Sequence, residues 1–199
     1  VGSGSGFTGS VQVNAGRLDV PTNLAAPAIT VADGASLGGE STTGSVTLGT
    51  GTGLFIDAST AAALTVTNLA VNGSTAIDVA VAPTAPGPIT VLNYTSKTGP
   101  GTFALANAAN YRASSINDNG SSIVLNVTTK SLNWTGAVNA VWNTNTTANW
   151  NDGVGPDNFF SGDSVTFGDG PTATSITFAG AVSPWLTTVN SNTANYTFT

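Results

Sequence analysis

The chain has 199 residues and only four Lys/Arg and ten Asp/Glu, so 7% of it is charged, where an ordinary soluble domain has about 25%. It contains no His, Cys or Met. This excludes, within the chain, a disulfide framework, a thiolate nucleophile, zinc–thiolate and histidine metal sites, and a Ser-His-Asp triad.

Four basic residues cannot form a nucleic-acid footprint. With 32 Thr, 20 Asn and 19 Ser, surface polarity comes from hydroxyls and amides instead of ions. Hydrophobic residues make up 40% of the chain, enough to bury a core. No apolar run approaches the length of a membrane span. The opening VGSGSGFTGS has neither the charged nor the apolar region of a signal peptide, and no initiator Met. The chain is therefore expected to be a mature or excised piece of a longer one.

From the first residues onward, apolar and polar residues alternate with period two: Val11-Gln12-Val13, Leu18-Asp19-Val20, Ile29-Thr30-Val31, Val46-Thr47-Leu48, Leu54-Phe55-Ile56 and Leu64-Thr65-Val66. Gly, Asn, Asp or Ser flank each, which predicts short strands between turns and an all-β class. Val11, Ile29, Val46 and Leu64 follow one another at intervals of 18, 17 and 18; Leu18, Leu37, Leu54 and Leu69 at 19, 17 and 15. Two interleaved series with a common step predict a parallel β-solenoid, each coil adding the same strands. An antiparallel sandwich, whose strands recur roughly every 8–12 residues, is the competing reading.

Ala82-Pro83-Thr84-Ala85-Pro86-Gly87-Pro88 breaks the rhythm and suits a linker. A strand follows at Ile89-Thr90-Val91, a helical turn at Ala104 to Ala109, and a hairpin signal at Asn119-Gly120. From Leu132 the composition shifts again, with all four tryptophans in the last third. The expected organisation is coils over 1–82, a Pro/Gly-interrupted β segment over 83–131, and an irregular Trp-containing β module over 132–199.

Two stretches carry a resemblance. Phe7 to Val20, FTGSVQVNAGRLDV, resembles the signature of the autotransporter-associated β-strand repeat, and Leu132 to Thr199, with its W-T-G, W-N-T-N-T-T-A-N-W and G-D-S-V-T-F segments, is similar to the region preceding such repeats in very large bacterial surface proteins. In that family the Trp-rich segment comes before the repeat, whereas here NAGRL opens the chain. One period of a tandem array is therefore expected. The resemblance implies a β-solenoid, a secreted or bacterial cell-surface location, and an adhesive or structural role as part of a rod or filament.

The chemistry-bearing residues point the same way. Asp33-Gly34, Asp118-Asn119-Gly120, Asp152-Gly153 and Asp169-Gly170 fit Asx turns better than a catalytic carboxylate pair. Arg17, Lys97, Arg112 and Lys130 are too scattered in sequence to read as the basic group of a polysaccharide lyase, so no enzyme is expected. Asp152 and Asp157 are the best-placed ligands for a calcium ion, although no EF-hand or Gly-rich nonapeptide spacing is present. No other cofactor is implied. Trp134, Trp142 and Trp150, spaced by eight, are candidates for stacking on sugar rings; the competing reading buries them in a core. Seven N-x-[ST] sequons begin at Asn72, Asn93, Asn119, Asn126, Asn133, Asn145 and Asn195. Expected partners are neighbouring repeats or subunits end to end, and glycans, without nucleic acid or membrane insertion. The rival function is a carbohydrate-binding or polysaccharide-degrading solenoid.

Overall fold

The computed structural model describes residues 7–20, 28–40, 42–57, 64–81 and 87–199. These residues are all-β, apart from one 3-10 turn at Ala108–Asn110, and no helix among them is long and apolar enough to cross a membrane. The chain divides into two compact units: Val1–Val81 with Pro88–Asn107 and Ser115–Asn126, and Ala82–Gly87 with Ala108–Ser114 and Val127–Thr199.

In the first unit the strands are β1 (Val11–Val13), β2 (Arg17–Val20), β3 (Ala28–Val31), β4 (Ser36–Gly39), β5 (Thr42–Leu48), β6 (Thr52–Asp57), β7 (Leu64–Val71), β8 (Ser74–Val81), β9 (Ile89–Thr98) and β10 (Thr102–Leu105). Odd-numbered strands lie side by side in one sheet and even-numbered strands in another, and every neighbouring pair among them is parallel. Successive strands thus alternate between two sheets. The corners bring backbones together: a Cβ on Gly39 would collide with the Val20 carbonyl, and both Gly39 and Gly99 have positive φ, at 115° and 92°.

The register is regular in a way the apolar pattern only partly shows. Val11, Ile29, Val46, Leu69 and Lys97 are successive partners in the first sheet, at steps of 18, 17, 23 and 28. Leu18, Leu37, Leu54, Ile77 and Leu105 are successive partners in the second, at 19, 17, 23 and 28. The expected step of 18 therefore holds only as far as Val46. Leu64 does belong to β7, but it lies opposite Leu92, and Leu69 sits in the first sheet, not the second. Both sheets lengthen their step together because the added residues fall between β6 and β7 and between β8 and β9. The Pro-rich 82–86 lies in the second of these intervals, outside the described residues.

Inward positions are apolar and fully covered: Ile29, Val46 and Leu69 from one sheet, Leu37, Leu54 and Ile77 from the other. Each such side chain stabilises the fold by about 1.5–3 kcal/mol. Outward partners form a polar ladder, in which Asn68 donates to Ser45 Oγ at 3.3 Å and accepts from Ser96 Oγ at 2.8 Å. One polar pair is internal: the hydroxyls of Thr52 and Thr75 lie 2.8 Å apart and are buried. Thr52→Val should leave the Thr75 hydroxyl without this partner and lower stability by about 1–3 kcal/mol. The double variant Thr52→Val/Thr75→Val removes both hydroxyls and should recover most of the loss. Urea unfolding followed by circular dichroism reads the difference.

The parallel run ends on a hairpin. β11 (Ala113–Asp118) and β12 (Ser122–Thr128) extend the first sheet in the order β9-β12-β11, with β12 antiparallel to β9. Asn119-Gly120 forms the expected turn, the Asn119 N–H donating to Ser122 O at 3.1 Å. Residues 88–107 are not a separate segment, because β9 and β10 add to the same two sheets as the strands before them. The expected helical turn is displaced as well: β10 runs to Leu105, and the 3-10 turn follows it.

The second unit repeats the two-sheet alternation with an insertion. Its strands are β13 (Ser131–Trp134), β14 (Val141–Trp142), β15 (Trp150–Asn151), β16 (Pro156–Asp157), β17 (Ser164–Phe167), β18 (Ser175–Phe178), β19 (Leu186–Val189) and β20 (Thr197–Phe198). β13, β17 and β19 are parallel neighbours in one sheet, and β14, β18 and β20 in the other. β15 and β16 are antiparallel additions beyond β13, so this sheet is mixed. Ser164 opposite Leu186 and Ser175 opposite Thr197 give both sheets the same final step of 22.

Candidate functional site

The tryptophans meet in the core of the second unit. Trp134 and Trp150 are opposite each other in antiparallel register, with ring centroids 5.0 Å apart, edge to face. Trp142 reaches them from the other sheet, 5.2 Å from Trp150. Phe167 lies within 5.9 Å of all three rings and also touches Tyr196 and Phe198. All three tryptophans are buried. The spacing of eight does not place all three on one face: Trp134 and Trp150 share a sheet and Trp142 belongs to the other, and all three point into the core between them. Stacking on a sugar needs an exposed ring face, so Trp134, Trp142 and Trp150 are core residues and not a binding platform.

A charged network lies elsewhere in the same unit, and no local pattern in the sequence marks it. The Asp163 side chain is 0% exposed. It accepts from Arg112 Nη2 at 2.7 Å, from the Lys130 backbone N–H at 2.7 Å and from the Phe160 N–H at 3.0 Å. Arg112 Nη1 binds both oxygens of Asp157, at 3.0 and 2.9 Å, and Nη2 also donates to Asn158 O at 2.9 Å. The guanidinium lies 4.7 Å over the Phe160 ring. Lys130 Nζ completes the set, 2.5 Å from Asp152 and 2.8 Å from Asp157. Two cations scattered in sequence thus converge on three carboxylates, and the planar fork of Arg112 suits two of them at once.

This arrangement bears on the calcium reading. Asp152 and Asp157 do come together, but the position between them is taken by the Lys130 ammonium. Among the described residues no group of three or more acidic side chains is arranged to hold a metal.

The network also fixes a pH dependence. Burial acts to raise the Asp157 carboxyl, but hydrogen bonds from Lys130 and Arg112 outweigh it and hold the group below its ordinary value. Asp152 is held low by Lys130 and by the N–H groups of Val154 and Gly155. A carboxyl lowered on folding stabilises the fold fully above its unfolded pKa of about 4 and loses that contribution as pH falls through the folded value. The second unit should therefore melt at progressively lower temperature below about pH 4. In Lys130→Met that slope should be shallower, as thermal melts from neutral to strongly acid pH would read.

The other Asp-Gly pairs divide into two kinds. Asp118 and Asp152 form local Asx turns, accepting from Gly120 N–H at 3.0 Å and from Val154 N–H at 2.9 Å. Asp33 and Asp169 reach forward to the next corner of the chain. Asp33 accepts from Thr50 N–H at 2.7 Å, and Asp169 from the N–H groups of Asn192 and Thr193 at 2.9 and 2.8 Å. These four carboxylates hold turns and corners.

The last strand pair is the most exposed apolar region. Five of the eight exposed large hydrophobics among the described residues are Phe178, Trp185, Leu186, Val189 and Phe198. A cavity of about 330 Å³ opens there, lined by Trp142, Phe178, Val182, Pro184, Thr187 and Phe198. Among the described residues β19 pairs only with β17 and β20 only with β18. Compared with protein-family models, with curated proteins and with solved structures, the chain matches none.

Proposed function

We propose that the chain is a structural or adhesive segment of an extracellular, cell-surface repeat protein of bacterial type, built as a parallel β-solenoid. One observation carries this reading: the two sheets of the first unit change step together, first to 23 and then to 28. Each strand pair with its corners then behaves as one coil, so the step changes while the order of paired strands stays the same. The second unit is the same device with β15 and β16 inserted and a regular coil at its end.

Function follows from how such a stack bears load. Force along the stack is shared by many parallel backbone ladders, and each coil is held by its nearest neighbours. Outward Ser and Asn ladders bond to one another, so identical positions stack without like-charge repulsion. The reading assigns no catalytic residue and no cofactor, and its partners are neighbouring repeats or glycans at a surface.

Pulled between its termini in an optical trap, the chain should extend in discrete steps, one or a few coils at a time. Smooth extension at negligible force contradicts the reading. Release of reducing sugar from a polysaccharide offered to the purified chain favours the degrading rival instead.

A further inference from the structure

Where the parallel run of the first unit gives way to the hairpin, the inward column of the first sheet changes character. Val11, Ile29, Val46 and Leu69 are apolar, and the next partner in register is Lys97. A lysine at an inward position needs an anion, and its ammonium lies 3.0 Å from Asp118 Oδ2 on β11. The Lys97 side chain is only 23% exposed. β12 stands between β9 and β11, so the contact reaches across it.

The two oxygens of Asp118 are held differently. Oδ2 faces the ammonium. Oδ1 accepts from the Tyr94 O–H and from the Gly120 N–H, the latter at 3.0 Å. Tyr94 occupies the inward position opposite Val66 and is buried. Burial, and then the bond to Asp118, push its phenol up to about 12, so it remains a donor at physiological pH. One carboxylate oxygen thus carries two donors, and the other lies against a primary amine. That is the layout of an acyl-transfer site: a nucleophile beside the carboxyl carbon, an oxyanion pocket on one oxygen and a proton source on the oxygen that leaves.

We propose that Lys97 and Asp118 condense into an isopeptide bond that joins β9 to β11, with Tyr94 and Gly120 as the oxyanion donors. Proton transfer from the ammonium to Oδ2 frees the nitrogen lone pair, which attacks Cγ, and negative charge gathers on Oδ1 between its two donors. The Cγ–Oδ2 bond then breaks, and Oδ2 leaves as water with a second proton from the nitrogen. One ammonium and one carboxylate give one amide and one water, and no further reactant is consumed. Positioning drives the step, because well-oriented intramolecular groups react at effective concentrations of about 10⁵–10⁸ M. Burial acts to raise the Asp118 carboxyl, but hydrogen bonds from Tyr94 and Lys97 outweigh it and hold the group below its ordinary value. The ion pair is therefore the resting state, and the bond forms slowly after folding. In a chain without cysteine it is a covalent clasp, closing residues 98–117 into a loop that force cannot unravel.

Intact mass spectrometry of the purified chain, aged for days at neutral pH, tests this. The wild type should be one water lighter than its sequence. Lys97→Arg and Asp118→Ala should keep the full mass, and Tyr94→Phe should form the bond at least about a hundredfold more slowly. The four Lys/Arg provide a second signature, because trypsin does not cut at an acylated lysine. Residues 18–112 should emerge uncut at Lys97 and joined through Asp118 to residues 113–130. A wild type of full mass overturns the proposal, as does an unchanged rate in Tyr94→Phe. So does a loss of water that persists in Lys97→Arg, the mark of a succinimide at an Asp-Gly pair. These readouts are chemical and do not depend on the solenoid's role at a surface: the bond can be absent while stepwise extension in the trap persists, and the reverse.

Discussion

Arg112→Met should lower the stability of the second unit by about 3–5 kcal/mol, the cost of stranding a buried charge. The Asp163 carboxylate is fully buried and the Arg112 side chain 13% exposed, so water cannot replace the guanidinium. The N–H groups of Lys130 and Phe160 would remain, but the ion pair of Asp163 with Arg112 would be gone. Arg112→Met/Asp163→Leu should recover only part of the loss, because it removes the stranded charge but leaves the Lys130 and Phe160 N–H groups without their acceptor and Asp157 without Arg112. By contrast, Arg17→Ala breaks an exposed ion pair and should cost less than about 1 kcal/mol. All four tryptophans belong to the second unit, so urea unfolding followed by tryptophan fluorescence reports that unit. A loss under about 1 kcal/mol for Arg112→Met would show the pair to be solvent-screened.

Phe167→Ala should cost a similar amount, about 3–5 kcal/mol, through a cavity instead of a charge. Its ring is fully buried and touches three tryptophans, Tyr196 and Phe198, so the hole it leaves is bounded by rigid rings that collapse poorly. Val154→Ala, at a side chain 96% exposed, should change stability by no more than about 0.5 kcal/mol. Loss of near-ultraviolet circular dichroism at lower urea concentration in Phe167→Ala, but not in Val154→Ala, checks this.

How far the fold can be read from the residues depends on whether the signal is local. Val11, Ile29 and Val46 reveal their register because the first two steps are nearly equal and each lands on an inward apolar residue. Leu64 misleads because β7 holds two inward leucines, and the one opposite Val46 is Leu69. The step from Val46 to Leu69 is longer than the one before it, and the residues between β6 and β7 do not alternate in a way that shows by how much. Pro83 to Pro88 reads as a boundary because proline breaks a ladder, yet the strands before and after it, β8 and β9, belong to the same two sheets as their predecessors.

The charged network shows the opposite limit. Arg112 and Asp163 are 51 residues apart and meet only through the fold. Asp163 is followed by Ser164, with no turn glycine behind it to distinguish its role. The Asx reading succeeds at Asp118 and Asp152, where the accepting contacts are two residues away. It misses the forward reach of Asp33 and Asp169, which bond to backbone 17 and 23 residues on.

Nuclear Overhauser contacts between backbone protons of neighbouring strands test the parallel two-sheet arrangement most directly. The expected contacts join Thr30 to Thr47 and Thr47 to Ala70, the unequal steps of one continuous ladder, with none between β3 and β4. Close α-proton to α-proton contacts between β3 and β4, the mark of antiparallel neighbours in a sandwich, would contradict it.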